Sequence, residues 1–345
     1  MSIKTINLNC FTVFNSVECD FSPGINIFIG ENSTGKTHLM KVLYVFCKSV
    51  IIESNRLLSN GAAWLDNFST VLSLCFQEQI PKLLRKRNSG ELTCVKVSTA
   101  IREHCFYLTV DNPNFKPSLQ GDDKLIKDKL PSIFIPAKDM LTHARGLISM
   151  TENRSKDMPF DSTLLDIIKN AEFWKLDEVT ILSEKMLKEM EVIIGGQIVQ
   201  ENGDFYVVKA DGSKTKFSVE AEGVKKIGLL WQLIMNGVIC KDSVLFWDEP
   251  EANLNPTLIP VIVDILIELS NNGVQIFLAT HDYMFAKYFE VKEINQENIR
   301  FHSLYKTENG IACESGPNFR DLKNNPIISA FDVLLDEVIS KNVGD

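Results

Sequence analysis

The chain has 345 residues, enough to bury a full hydrophobic core, and 45% of them are hydrophobic against 23% charged, the balance of an ordinary globular fold. Its 36 basic and 45 acidic residues leave a formal net charge of -9, which opposes diffuse attraction to nucleic acid or to an anionic membrane over the whole surface. The N-terminus MSIKTINLNC has no secretory pattern and no apolar run is long enough to span a bilayer, so a cytoplasmic protein without membrane contact is expected.

The first thirty residues alternate apolar and polar in the strand manner, through Ile3, Ile6 and Leu8, then Phe11, Val13, Val17 and Phe21, then Ile25, Ile27 and Ile29, with a turn at Ser22-Pro23-Gly24. From Lys36 to about Val50 the pattern turns helical, with Leu39, Val42, Leu43 and Phe46 on one face. Residues 57 to 87 read mainly as helix and end in KLLRKR, where Lys82, Arg85, Lys86 and Arg87 form a basic cluster best explained as a solvated helix face. Two antiparallel strands are predicted over 94–110, then a polar loop to about Lys129, then a short buried strand in PSIFIPAKD, 131–139.

Helices are predicted from a cap at Asp161 or Ser162, and again through Leu182, Met186, Met190 and Ile193, the two forming a lobe of their own. Turn signals at Asn202-Gly203 and Asp211-Gly212 mark a hairpin. From Gly223 a helix runs to about Asn236, followed by a strand VLFW, a helix after Pro256, a strand VQIFLAT, and a hairpin around Asn309-Gly310. A last helix starts at Asn325-Pro326 and carries Ile327, Ile328, Phe331, Leu334 and Leu335. The eight cysteines, Cys10, Cys19, Cys47, Cys75, Cys94, Cys105, Cys240 and Cys313, are scattered with no C-x-x-C pair. Neither a zinc knuckle nor a disulfide framework is expected, and most read as buried small hydrophobes.

Three segments carry chemistry. GENSTGKTH, 30–38, fits G-x-x-x-x-G-K-[ST] at Gly30, Gly35, Lys36 and Thr37, between an apolar strand and a helix. Glycines let the backbone turn its N–H groups inward around an anion, and the helix start adds positive dipole. In such a loop the backbone of Glu31, Asn32, Ser33 and Thr34 wraps the phosphates, Lys36 reaches the terminal ones, Thr37 can ligate magnesium, and His38 follows in the first helical turn. SVLFWDEPEANLNP, 243–256, ends an apolar strand in two acids; Asp248 is assigned to the magnesium shell and Glu249 to the attacking water. VQIFLATHD, 274–282, delivers Thr280 and His281 to the same edge of a parallel sheet, where ligands bind.

In that order the three segments resemble the Walker A, Walker B with D-loop, and H-loop of ABC-type ATPases. The opening INLNCFTVFNSVECDFSPGINIFIG resembles the RecF, SMC and OLD-like branch, and NNPIISAFDVLLDE is similar to the end of stand-alone OLD-like AAA-type ATPases. The fold class implied is α/β, a P-loop NTPase of ABC-ATPase type, with a mixed sheet core flanked by helices and an inserted helical lobe. Residues 1–48, 92–140 and 215–345 would form the head, and 49–91 and 141–214 a mainly helical insert with a β-hairpin. The resemblance implies ATP and Mg2+ as cofactors and a head dimer that closes each nucleotide between one loop and the partner's signature motif. Gly223 in FSVEAEGVKKIGLL stands at the signature position, with Ala221 where a serine is usual and Glu222 where a small residue is common, which implies slow turnover. Thr34 replaces a glycine frequent in transporters. Lys138 lies where a glutamine loop would, and Phe11 or Phe14 would either stack on adenine or pack in the sheet.

The spacing from Lys36 to Gly223 holds a lobe but no long coiled coil, and the segment after His281 is too short for a separate Toprim nuclease domain. The function expected is therefore an ATP-hydrolysing ATPase whose nucleotide-dependent dimerisation, or higher assembly, regulates a separate effector protein, as in bacterial anti-phage defence or toxin systems. The alternative is a RecF-like ATP-dependent DNA clamp, which needs a basic face that the net charge disfavours. A transporter subunit is disfavoured by the signature.

Overall fold

The structure is a computed structural model that describes residues 2–54, 61–85, 93–100, 103–108, 118–120, 130–139, 141–144, 147, 160–176, 178–179, 181–292 and 297–343. Lys86, Arg87 and most of the polar loop before Lys129 lie outside these residues.

The chain opens with β1 (Ile3–Phe11), β2 (Phe14–Asp20) and β3 (Ile25–Gly30). β1 and β2 bury one face in alternation, whereas every residue of β3 is buried, as a strand covered on both sides must be. Helix α1 (Lys36–Ser54) springs directly from the loop after β3, and α2 (Gly61–Phe76) and the short α3 (Ile80–Leu83) follow. Next come β4 (Thr93–Thr99), β5 (Glu103–Leu108) and β6 (Ser118–Gln120), the last inside the stretch read as loop, then β7 (Ser132–Ile135).

Helices α4 (Ser162–Ala171) and α5 (Glu184–Ile194) start at caps: Asp161 accepts from the Thr163 N–H and Ser183 from the Met186 N–H. After them, β8 (Gln197–Glu201), β9 (Asp204–Val208) and β10 (Lys214–Lys216) form a three-stranded antiparallel sheet. Its first turn has Asn202 at φ 52° and Gly203 at φ 79°, the left-handed pair that a two-residue hairpin needs. Helix α6 (Glu222–Met235), β11 (Val244–Asp248), α7 (Ile259–Asn271), β12 (Gln275–Ala279), α8 (Tyr283–Lys292), β13 (Ile299–Thr307), β14 (Gly310–Gly316) and α9 (Pro326–Val343) complete the chain.

Two large sheets stack. The central one has six strands in the order β14-β13-β3-β12-β11-β7, parallel except for β14. The other has the order β2-β1-β4-β5-β6 and is antiparallel. Between them, with α1, lies a core in which Phe134, Phe246, Phe277 and Phe28 stack in a row across four neighbouring central strands, centroids 6.2, 5.1 and 6.3 Å apart. Gln275 ties the layers: its amide accepts from the Ile3 N–H at 2.8 Å and donates to the carbonyls of Ile3 and Ser22 at 2.8 and 2.9 Å.

The opposite face of the central sheet carries Ile27, Leu245, Trp247 and Leu278 against α6, α7 and α8. Here the structure departs from the expectation of a self-contained helical lobe. Ile167, Ile168, Met190 and Ile194 of α4 and α5 belong to this same cluster, because two short helices alone offer too little apolar surface for a second core. The cysteines depart as well: only Cys19, Cys47 and Cys75 are buried and the other five are half-buried.

Candidate active site

β3, β11 and β12 are parallel neighbours, so their carboxyl ends come out on one edge and bring Gly30, Asp248 and Thr280 together. The loop after β3 is built for its curvature. Gly30 and Gly35 have φ 149° and 90°, and Ser33 sits at φ 67°. A Cβ on Gly35 would come within 2.6 Å of Phe14 Cζ and Val13 Cγ2, and one on Gly30 would collide with the Leu304 carbonyl.

Lys36 is buried and folded back on the loop, donating to the carbonyls of Gly30 at 2.7 Å and Glu31 at 2.9 Å. Burial lowers its pKa, against the opposing charges of Asp248, Glu249 and Glu251. Thr34 donates to the Glu31 carbonyl at 2.9 Å. Glu31, Asn32 and Ser33 are exposed at the rim, and Glu31 pairs with Lys306 at 3.2 Å. The Thr37 hydroxyl donates to Asp248 Oδ2 at 2.9 Å, and burial raises the Asp248 pKa, with Glu249 adding to it. These two oxygens, with a glycine cradle lined by N–H groups, suit a hard divalent cation and a phosphate chain.

Glu249 takes φ 48°, a conformation costly for a non-glycine residue, while its N–H donates to the Ala279 carbonyl at 2.9 Å. Its carboxylate lies 3.5 Å from His281 Nδ1 and both side chains are partly open to solvent. Sequence reasoning missed two residues that support this corner. Glu251 is buried and accepts from the Thr280 hydroxyl at 2.6 Å and the His281 N–H at 3.4 Å, while its other oxygen has no partner. Burial raises its pKa. Lys226 of α6 donates to the carbonyls of Glu249 at 2.9 Å and Pro250 at 3.1 Å, and burial lowers its pKa to about 8. An acid after a proline and a lysine in a KK pair both read as solvent-facing, and no local signal distinguishes them.

The remaining sequence candidates fall around this centre. His38 packs its ring edge-on against Phe76 at 5.4 Å, with Nδ1 buried and unpartnered, and burial lowers its pKa. Phe11 and Phe14 are fully buried, so neither presents an open ring face to a base. Gly223 is buried in the first turn of α6, which starts one residue earlier, at Glu222, from an Ala221 that supplies no side-chain cap. Glu222 pairs with Lys225 at 2.9 Å, and Lys225 also faces Asp139 at 3.6 Å, next to Lys138. Of the basic cluster, Arg85 is half-buried and donates to the Val13 carbonyl, bracing the strand turn beside the loop, and Lys82 pairs with Glu78.

A glycine loop joining a parallel strand to a helix, with lysine, threonine and strand-end acids converging on it, defines a P-loop nucleoside triphosphatase. Residues 1–195 match the model of the AAA ATPase domain, and the chain belongs to that family. Residues 118–285 also match a model described as an AAA domain, putative AbiEii toxin, Type IV TA system. A 44-residue stretch is 43% identical to the DNA replication and repair protein RecF of Streptococcus uberis, covering 13% of this chain and 12% of that protein. An 84-residue stretch is 32% identical to RecF of Clostridium botulinum (strain Eklund 17B / Type B), covering 24% and 22%.

The chain therefore spans less than a quarter of the length of these relatives. Among solved structures, an SMC head bound to the C-winged helix domain of ScpA is 12% identical with a TM-score of 0.55 over 92% of this chain and 98% of that one. An SMC head with an extended coiled coil, bound to a ScpA C-terminal domain derived from Pyrococcus furiosus, is 12% identical with a TM-score of 0.50 over 97% and 98%. The fold is that of these SMC heads, a mixed α/β sheet flanked by helices. Among the described residues no helix is long and apolar enough to cross a membrane.

Proposed function

We propose that the chain binds ATP with magnesium on the 30–38 loop, hydrolyses it at Glu249, and uses the nucleotide-dependent association of two heads to control a separate effector protein, as in an anti-phage or toxin system. The observation that carries the reading is the convergence of Lys36, Thr37, Asp248, Glu249 and His281 from three strand ends on one glycine loop. Thr37 Oγ1 and Asp248 would hold the metal. Bound magnesium supplies charge that offsets the negative charge developing on the phosphate oxygens.

Lys36 exchanges its hydrogen bonds to Gly30 and Glu31 for phosphate oxygens, a trade favoured because its ammonium is already desolvated. Glu249 accepts the proton of the attacking water, and His281, at 3.5 Å, orients that carboxylate. Gly223 at the start of α6 is the element assigned to the partner's nucleotide. Lys226 on the same helix hydrogen-bonds the Glu249 carbonyl, so pressure on the helix start reaches the base of the same subunit.

The match to the toxin-system AAA model supports the effector setting. The RecF relatives support the second reading, a DNA clamp, which the net charge of -9 disfavours. Wild type, Lys36→Ala and Glu249→Gln are compared for ATP turnover and for sedimentation with ATP. The first variant should lose nucleotide binding, and the second should lose turnover by about 100-fold or more while retaining an ATP-bound dimer. Unchanged hydrolysis in Glu249→Gln, or a monomer under every condition, overturns the mechanism. Tight DNA binding with a steep salt dependence shifts the role to the clamp.

A further inference from the structure

Cys19 on β2, His302 on β13 and Cys313 on β14 meet at the seam between the two large sheets. Their ligand atoms all lie within 4.8 Å of one another, and no other such group of three or more occurs among the described residues. Cys19 and His302 are buried, and Cys313 is half-buried and gives a path from solvent. The two sulfurs are 3.0 Å apart.

The imidazole is oriented. Asn26 accepts from the Ser22 N–H at 2.8 Å with its Oδ1 and donates to the Ser22 carbonyl at 2.9 Å with its Nδ2. That pair fixes the amide, so the Oδ1 that lies 3.3 Å from His302 Nε2 is an acceptor, and Nε2 carries the ring proton. Nδ1 is left with its lone pair, 2.7 Å from Ser315 Oγ, which also stands 3.7 Å from Cys313 Sγ. The rings of Phe21 and Phe28, at 5.4 and 5.1 Å, hold the imidazole in place.

We propose that Cys19, His302 and Cys313 form a structural zinc site, with Ser315 Oγ or a water as the fourth ligand. Two thiolates and an imidazole are a donor set that selects zinc over the hard magnesium of the nucleotide site. The Asn26–His302 hydrogen bond is the outer support that metal-binding histidines require. Zn–S bonds of about 2.3 Å in a tetrahedron place two sulfurs about 3.8 Å apart, so the thiols must part by roughly 0.8 Å, a side-chain adjustment. Uptake releases the two thiol protons to solvent and changes no oxidation state. A disulfide would instead close the sulfurs to about 2.05 Å and would make no use of the aimed Nδ1. Bound zinc pins the antiparallel sheet to β13, whose Leu304, two residues beyond His302, is paired with Gly30 of the phosphate loop.

Protein purified without added metal or chelator is assayed by elemental analysis and by thiol titration in denaturant. Metal-stripped protein is then titrated with zinc against a chromophoric chelator and with cobalt for the thiolate charge-transfer band. About one zinc per chain should be found or taken up in wild type and in the control Cys240→Ser. Cys313→Ser, at the half-buried position, and His302→Gln should each lose at least about ten-fold in zinc affinity while keeping their far-ultraviolet circular dichroism. If wild type neither contains nor takes up zinc, the site is refuted. Six titratable thiols with a Cys19–Cys313 peptide in the mass spectrum refute it in favour of a disulfide, and zinc retained by both variants places the metal elsewhere. None of these readouts involves nucleotide.

Discussion

Replacing Lys226 by Met tests the electrostatics of the corner that holds Glu249. The half-buried lysine sets its ammonium against the carbonyls of Glu249 and Pro250, with Glu251, Glu249 and Glu222 only partly offsetting the loss of water, and its pKa falls from 10.5 to about 8. At about 1.4 kcal/mol per factor of ten, that difference amounts to up to about 3 kcal/mol. Below pH 8 the lysine is charged in both states and the folded protein bears the full cost of burying it. Between pH 8 and 10.5 the unfolded chain holds a proton that the folded one has released, so stability rises with pH across that window.

Lys226→Met has no such group. Urea unfolding of both proteins between pH 7 and 10.5 should therefore show wild type gaining up to about 3 kcal/mol on the variant, all other titrations cancelling in the difference. At pH 7 the variant is relieved of the charge but strands two carbonyls, at about 1–3 kcal/mol for each unpaired group, so the two proteins should stay within a few kcal/mol. ATP turnover should fall in the variant because the Glu249 backbone loses its tether. Stability curves that run parallel from pH 7 to 10.5 would show that Lys226 is hydrated in solution, and the reasoning would fail.

Gly35→Ala forces a methyl into Phe14 and Val13 at a φ of 90° and should cost about 2–4 kcal/mol by thermal unfolding; a neutral result would mean that the loop is not seated on β2. Glu251→Gln keeps the acceptor for Thr280 and His281 but removes a buried carboxylate whose pKa burial raises. A raised acid makes the folded state lose stability as pH climbs from about 4.5 through its folded pKa. The variant should thus match wild type in acid and be at least as stable at pH 7, and a melting temperature at pH 7 clearly below that of wild type would contradict this. Phe277→Ala opens the middle of the four-phenylalanine row and should cost about 3–5 kcal/mol, measured by denaturant midpoint, whereas a loss under 1 kcal/mol would mean that the row repacks.

Sequence alone determined the parts of this protein that local rules govern. The glycine loop, its strand and helix, the two acids after VLFW and the Thr280-His281 strand end could all be read directly, because each depends on neighbouring residues or on a period of two or 3.6. The Asn202-Gly203 turn and the Asp161 and Asn325 helix starts were legible for the same reason. What tertiary structure decided is which segments become neighbours. Strand order β13-β3-β12-β11-β7 sets β3 beside strands from the far end of the chain, and only that order turns Glu251 inward and brings Lys226 onto the Glu249 carbonyl. Cys19 and Cys313 are 294 positions apart and carry no spacing pattern, since long-range burial depends on packing between sheets and leaves no period in the sequence. The helices of 162–194 looked like a separate lobe because each is amphipathic by itself; what they pack against was a choice made by the nearest uncovered apolar face, that of the central sheet and α6.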